Sequence, residues 1–182
     1  IKLPIPVGNS IGGGLHSSNK DKQEFQEFLL IPKGKSIKQN VKIMSRIYNK
    51  LKKILKADEI NDEGAWQTSL SIEQILAILS KFKNVRIGID VASSSFYENY
   101  YSRYIYKNKT LSQSEQINYI NLLIKKYNVF YIEDPIQEED FKGFSKIIKS
   151  SSHLVVGDDL TATQISRLKK ALSLHAINAM II

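Results

Sequence analysis

The chain has 182 residues, 42% hydrophobic and 24% charged, and its 26 Lys and Arg against 18 Asp and Glu leave a formal net charge of +8. That length holds one domain with a real core, in the composition range of soluble globular proteins. The absence of cysteine excludes a disulfide framework, a thiolate nucleophile and a zinc-thiolate site, and suits a reducing compartment, so a cytoplasmic location is expected. No apolar run reaches the length of a membrane span, and the opening Ile1-Lys2-Leu3-Pro4 lacks the layout of a secretory signal. Without an initiator Met, the chain is expected to be a piece of something longer. The lysines crowd into residues 33–56 and 142–149, where they alternate with apolar residues at helical spacing and read as wet helix faces. No zinc-finger pattern, RNP-like run or Arg-rich arm accompanies them, which argues against a nucleic-acid partner.

Residues 1–7 are apolar but twice interrupted by proline, which predicts an edge strand or strand entry. Residues 8–20 are Gly-rich and predict a loop whose peptide N–H groups can face a ligand; the Gly-Lys-Ser/Thr ending of a P-loop is missing. Residues 25–31 read as a strand stopped by Pro32-Lys33-Gly34. Ser36 then caps a helix with an apolar stripe of Ile37, Val41, Met44, Tyr48, Leu51 and Leu55, widened by Ile47 and Ile54. Asp62-Glu63-Gly64 has the form of a turn. Ser71 to Gln74 is a capping box opening a second helix with Ile75, Leu76, Leu79 and Phe82 inward.

From Arg86 the cadence becomes strand, loop, helix. Strands are expected at residues 86–90, 129–132, 154–156 and 176–182. Helices are expected after the capping box of Ser112 and Glu115, across Phe141 to Ile148, and from Thr161 with Gln164 through Ile165, Leu168 and Leu172. Residues 92–109 carry Tyr97, Tyr100, Tyr101, Tyr104 and Tyr106 and read as a short hairpin or lid; a base-stacking surface is the alternative. The strands are apolar on both parities, as when both faces of a sheet are covered, so a doubly wound sheet or part of a barrel is expected.

In either architecture ligands gather at the carboxyl ends of the strands, where Asp90, Glu133 and Asp158 fall. Three carboxylates without His or Cys describe a hard divalent ion, Mg2+ by default. Glu27, Glu63 and His16 are candidates for acid–base or positioning duty.

These motifs together resemble the enolase (phosphopyruvate hydratase) family: Gly12-Gly13-Gly14-Leu15-His16, Phe25-Gln26-Glu27-Phe28, Asp62-Glu63-Gly64, Gly88-Ile89-Asp90-Val91-Ala92-Ser93-Ser94, Ile132-Glu133-Asp134-Pro135 and Gly157-Asp158-Asp159-Leu160-Thr161. The resemblance implies an α/β fold: a partial (β/α) barrel opening ββαα before βα repeats, with about six of the eight strands of such a barrel present. Residues 1–182 would be an incomplete C-terminal barrel domain, lacking the N-terminal α+β domain and the end of the barrel. The implied activity is that of a carbon–oxygen lyase of glycolysis and gluconeogenesis, interconverting 2-phosphoglycerate and phosphoenolpyruvate with Mg2+, in a homo-oligomer of the full-length protein.

Carried over by motif, Asp90, Glu133 and Asp158 match metal ligands, with Glu133 and Asp158 also beside the substrate. Glu63 matches the general acid, Gln26 and Glu27 match substrate-side positions with Glu27 supporting the acid, and His16 matches a mobile-loop histidine. The family's lysine base follows the strand matched by residues 179–182, one residue beyond Ile182, so little or no turnover is expected of this chain alone. A non-catalytic protein derived from an enolase is the alternative, and a basic nucleic-acid-binding module a further one. The loop after His16 is about two residues longer than the family's usual loop and carries Lys20, Asp21 and Lys22.

Overall fold

A computed structural model describes residues 3–149 and 153–182, which fall into two compact units, Ile1–Ile89 and Asp90–Ile182. The first unit runs β1 (Gly8–Gly12), β2 (Glu27–Pro32), α1 (Ile37–Leu55), the two-residue β3 (Trp66–Gln67), α2 (Ile72–Leu79) and β4 (Val85–Asp90), whose last residue opens the second unit. Its strands lie in the order β4-β2-β1-β3. β1 pairs antiparallel with β2, with an irregularity between Asn9 and Ile11, and parallel with β3. Two strands precede the first helix, and the two-residue β3 stands between helices expected to follow one another directly.

The first strand lies where a loop is expected. Pro4 and Pro6 have no N–H to give to a ladder, and residues 3–7 form no strand; pairing starts at Gly8. Ile1 and Lys2 lie outside the described residues. Ser36 caps α1 by accepting the Gln39 N–H, and Ser71 with Gln74 closes the expected capping box of α2. The α1 stripe is buried only at Ile47 and Leu51, whereas Ile37, Val41 and Ile54 are exposed. In the first turn Asn40 takes the inward position, where its Oδ1 accepts the Gly34 N–H at 2.7 Å. The core of this unit joins Phe28, Leu30, Leu51, Ile75, Leu76 and Leu79.

The second unit opens with a small antiparallel sheet, β5 (Tyr97–Glu98), β6 (Arg103–Ile105) and β7 (Thr110–Ser112). It continues through α3 (Gln113–Tyr127), β8 (Val129–Glu133), α4 (Phe141–Lys149), β9 (Leu154–Gly157), α5 (Ile165–Ser173) and β10 (Ala179–Met180). β8, β9 and β10 are parallel neighbours. The Ser112–Glu115 capping box starts α3, and Asn128, in the left-handed region at φ 52°, ends it and turns the chain into β8. The hairpin reading of residues 92–109 describes the tyrosines well. Tyr104 is fully buried and accepts the Gln137 N–H, and Tyr106 donates to Gln116 at 2.7 Å. Tyr100 and Tyr101 stay exposed.

Two expectations change here. Thr161 does not cap α5, because its hydroxyl donates to the Gly157 carbonyl at 3.0 Å; the helix starts after Gln164, and Ile165 and Leu172 face outward while Ala171 is buried. The last strand is two residues long, and not residues 176–182. Among the described residues no helix is long and apolar enough to cross a membrane.

Phe144 is fully buried in the core with Phe141, Ile147 and Val155. Phe144→Ala is expected to lower stability by about 3–5 kcal/mol in urea unfolding, whereas Tyr100→Ala changes it by less than about 0.5 kcal/mol.

Candidate active site and metal centre

Two groups of functional side chains emerge, one in each unit. In the first, a tight turn presents two acids. Asn61 Oδ1 accepts the N–H groups of Glu63 (3.2 Å) and Ala65 (2.8 Å), and Gly64 takes φ +76°, a conformation open to glycine. Asp62 and Glu63 are thereby held side by side. β1 approaches this turn so closely that a Cβ on Gly12 would lie 2.3 Å from Asn61 Nδ2. Beyond Gly12, a short 3-10 turn, Gly14–His16, carries the imidazole.

His16 Nδ1 lies 3.1 Å from Asp62 Oδ2 and 3.7 Å from Glu63 Oε1. Asn9 Nδ2, on β1, donates to Glu63 Oε2 at 3.0 Å and to Glu27 Oε1 at 3.1 Å. The structure therefore brings together Glu63, Glu27 and His16, and adds Asn9 and Asp62. Gln26 stands directly before β2, where its carbonyl accepts the Gly13 N–H at 2.9 Å. The loop after His16 is tied down at Gln67, whose Oε1 accepts from Ser17 Oγ (2.5 Å) and the Asn19 N–H (3.1 Å). The hydrogen bond to Asp62 raises the His16 pKa above 6.5, with Glu63 and Glu27 adding to the effect against a partial desolvation.

The second group sits where β4, β8 and β9 end. Asp90 is buried and its Oδ1 accepts the Ala92 N–H at 3.0 Å. The next residues bond to the end of β8: Val91 N–H to the Glu133 carbonyl and Ser93 N–H to that of Asp134. Glu133 is buried and accepts a hydrogen bond from Tyr131, two residues back on the same strand face. Burial raises its pKa, and the charges of Asp158 and Asp159 raise it further, against the Tyr131 hydrogen bond. Asp134, 2% exposed, accepts the N–H groups of Asp158 (3.2 Å), Asp159 (2.7 Å) and Leu160 (3.4 Å). Desolvation pushes its pKa up to about 7 although those donors favour the anion.

The donor chemistry of Asp90, Glu133 and Asp158 fits a hard divalent cation: three carboxylates and no nitrogen or sulfur ligand. Among the described residues, however, the one set of three ligand atoms drawn within 4.8 Å of one another is His16, Asp62 and Glu63. Sequence reasoning named neither Asn9 nor Asp134 as a functional residue. Asn9 sits in a stretch expected to be loop, and Asp134 reads there as an adjunct of Glu133.

The His16–Asp62 interaction gives a pH prediction. A histidine whose folded pKa is raised contributes stability that is complete below pH 6.5 and fades as pH rises through the folded value. The His16 imidazole is expected to titrate above 6.5 by NMR and to move back toward it in Asp62→Asn; equal midpoints in the two proteins would contradict the hydrogen bond as its cause.

The family described as the enolase C-terminal TIM barrel domain matches residues 1–182. Enolase from Archaeoglobus fulgidus is 37% identical over 195 residues, covering 100% of this chain and 48% of the relative. Enolase from Methanocorpusculum labreanum is 38% identical, covering 100% of the chain and 49% of the relative, and that from Aeropyrum pernix is 33% identical, with 100% and 45% covered. The chain spans about half the length of the curated relatives it matches. On a match that runs the length of the chain, it belongs to the enolase family, within that family's C-terminal barrel domain.

Proposed function

We propose that the protein to which this chain belongs catalyses the reversible, Mg2+-dependent dehydration of 2-phosphoglycerate to phosphoenolpyruvate. The observation that carries the reading is the pairing of Glu27 and Glu63 through the Asn9 amide, with His16 on the free side of Glu63. Hydroxide is a poor leaving group, so a carboxylic acid has to protonate it as the C–O bond breaks. Glu63 fills that role: its second oxygen is held by Asn9, its backbone is fixed by Asn61, and its side chain keeps 27% exposure toward incoming substrate.

Glu27 shares the Asn9 amide and so sets the spacing of the two carboxyls; Glu63 gives its proton to the departing oxygen, which leaves as water, and is left as a carboxylate that the Asn9 amide stabilises. His16, partly exposed on its short turn and with its protonated form favoured by the hydrogen bond to Asp62, is suited to the phosphate. Gln26, adjacent to Glu27, takes a substrate-side position. Asp90, Glu133 and Asp158 would hold the Mg2+, which when bound supplies positive charge against the carboxylate and the enolate-type charge that develops beside it. Proton removal from carbon is assigned to no residue of this chain; in the family it is the work of a lysine.

The test is 2-phosphoglycerate dehydration with Mg2+ by the full-length protein. Glu63→Gln is expected to lower kcat by about 10²–10⁴ while leaving substrate binding within a few-fold. Turnover of the Gln variant at the wild-type rate, or no turnover by the wild-type protein, would overturn the reading.

A further inference from the structure

The positive charge of the chain is gathered in one stretch. Residues 28–57 hold nine Lys and Arg and no Asp or Glu. Taking those nine from the total of 26 leaves 17 against 18 acids elsewhere, so this stretch accounts for the whole net charge of +8. It contains α1, on which Lys38, Lys42, Arg46, Lys50 and Lys53 are all exposed. By helical geometry Lys42, Lys50 and Lys53 lie within about 40° of Arg46 around the axis, roughly opposite the buried Leu51. From Lys38 to Lys53 the ridge is about 22 Å long. Among the described residues none of the five is in an ion pair.

Solvation alone does not require such a face. Mixed charges are solvated as well and stabilise a helix at i,i+4 spacing, whereas like charges there destabilise it. α1 carries three like-charged i,i+4 pairs: Lys38–Lys42, Lys42–Arg46 and Arg46–Lys50. Lys38 also stands in the first turn, the end of a helix that disfavours a cation, and no acid offsets it there. An anionic partner laid along the ridge relieves both.

We infer that the outward face of α1 docks on a membrane surface carrying anionic lipid. The kind of cation selects this partner. Eight of the nine are lysines, point charges on flexible stems, which suit a diffuse sheet of charge. Bidentate phosphate and base recognition in nucleic acid favours arginine, of which the stretch has one. The strip within about 40° of Arg46 carries no apolar side chain, so the contact is made with headgroups and nothing inserts. Each Lys or Arg near such a surface strengthens binding about five-fold, and the attraction fades beyond a Debye length. Attachment is therefore peripheral, reversible and sensitive to salt. It goes beyond the proposed catalysis and does not rest on it.

The experiment is co-sedimentation of the full-length protein at low ionic strength with phosphatidylcholine vesicles, with or without about one-third phosphatidylserine. Binding is expected only to the vesicles with phosphatidylserine, and is expected to be lost in high salt. The triple variant Lys42→Glu, Arg46→Glu, Lys50→Glu should bind at least about twenty-fold more weakly with unchanged circular dichroism. A charge-matched triple in the second unit, Lys125→Glu, Lys126→Glu, Lys169→Glu, should stay within about three-fold of wild type. If the α1 triple unfolds, the same three positions changed to Gln serve, with a smaller loss expected. Equal losses in the two triples, equal binding to both kinds of vesicle, or no binding to either would overturn the proposal, as would tighter binding to a single-stranded oligonucleotide than to the anionic vesicles. No readout involves turnover, so failure here is distinguishable from failure of the dehydration assay.

Discussion

The ends of β8 and β9 are set by one buried carboxylate, that of Asp134. Its backbone lies in the left-handed region, at φ 36°, where a residue with a side chain is strained, and Pro135 follows immediately. The compensation is local. Its oxygens collect the N–H groups of Asp158, Asp159 and Leu160, three donors that would otherwise be orphaned at about 1–3 kcal/mol each. Its own N–H bonds to the Val156 carbonyl, and its carbonyl accepts from Ser93. Asp134 thus joins three chain segments, and each of them carries one of the candidate metal ligands next to the joint: Asp90, Glu133 and Asp158.

The consequence is electrostatic. Glu133 is desolvated and faces the charges of Asp158 and Asp159, so its charged form is disfavoured where it stands. Such a group is relieved by protons or by a cation. The His16 group works by different means. Its charges are partly exposed and are placed by neutral amides, with Asn9 and Asn61 acting as spacers that fix which oxygen of each acid faces outward. A network of that kind orients a proton donor without burying it.

Much of this was legible in the sequence, and the reasons differ by element. Capping boxes at Ser71 and Ser112 and the βα cadence after Arg86 are local signals, and local hydrogen bonds decide them. The strand at Gly8–Gly12 was hidden because its glycines serve close packing against Met44 and Asn61, which no periodicity reveals. Apolar residues at Ile37, Val41, Ile165 and Leu172 suggested buried helix faces, yet Asn40 and Ala171 hold the inward positions there. At the site, residue types and motifs indicated Glu63, Glu27, His16 and the strand-end acids. Asn9 and Asp134 were out of reach, because their importance lies in hydrogen bonds across 54 and 25 residues of sequence respectively.

We propose that Asp90, Glu133 and Asp158, the acids next to the Asp134 joint, hold one hard divalent ion. Calorimetric titration of the protein with Mg2+ tests it most directly, comparing wild type with Asp158→Asn. A single Mg2+ whose affinity falls at least ten-fold in the variant is the predicted result. Equal affinity in the two proteins, or no Mg2+ binding by the wild type, would contradict it.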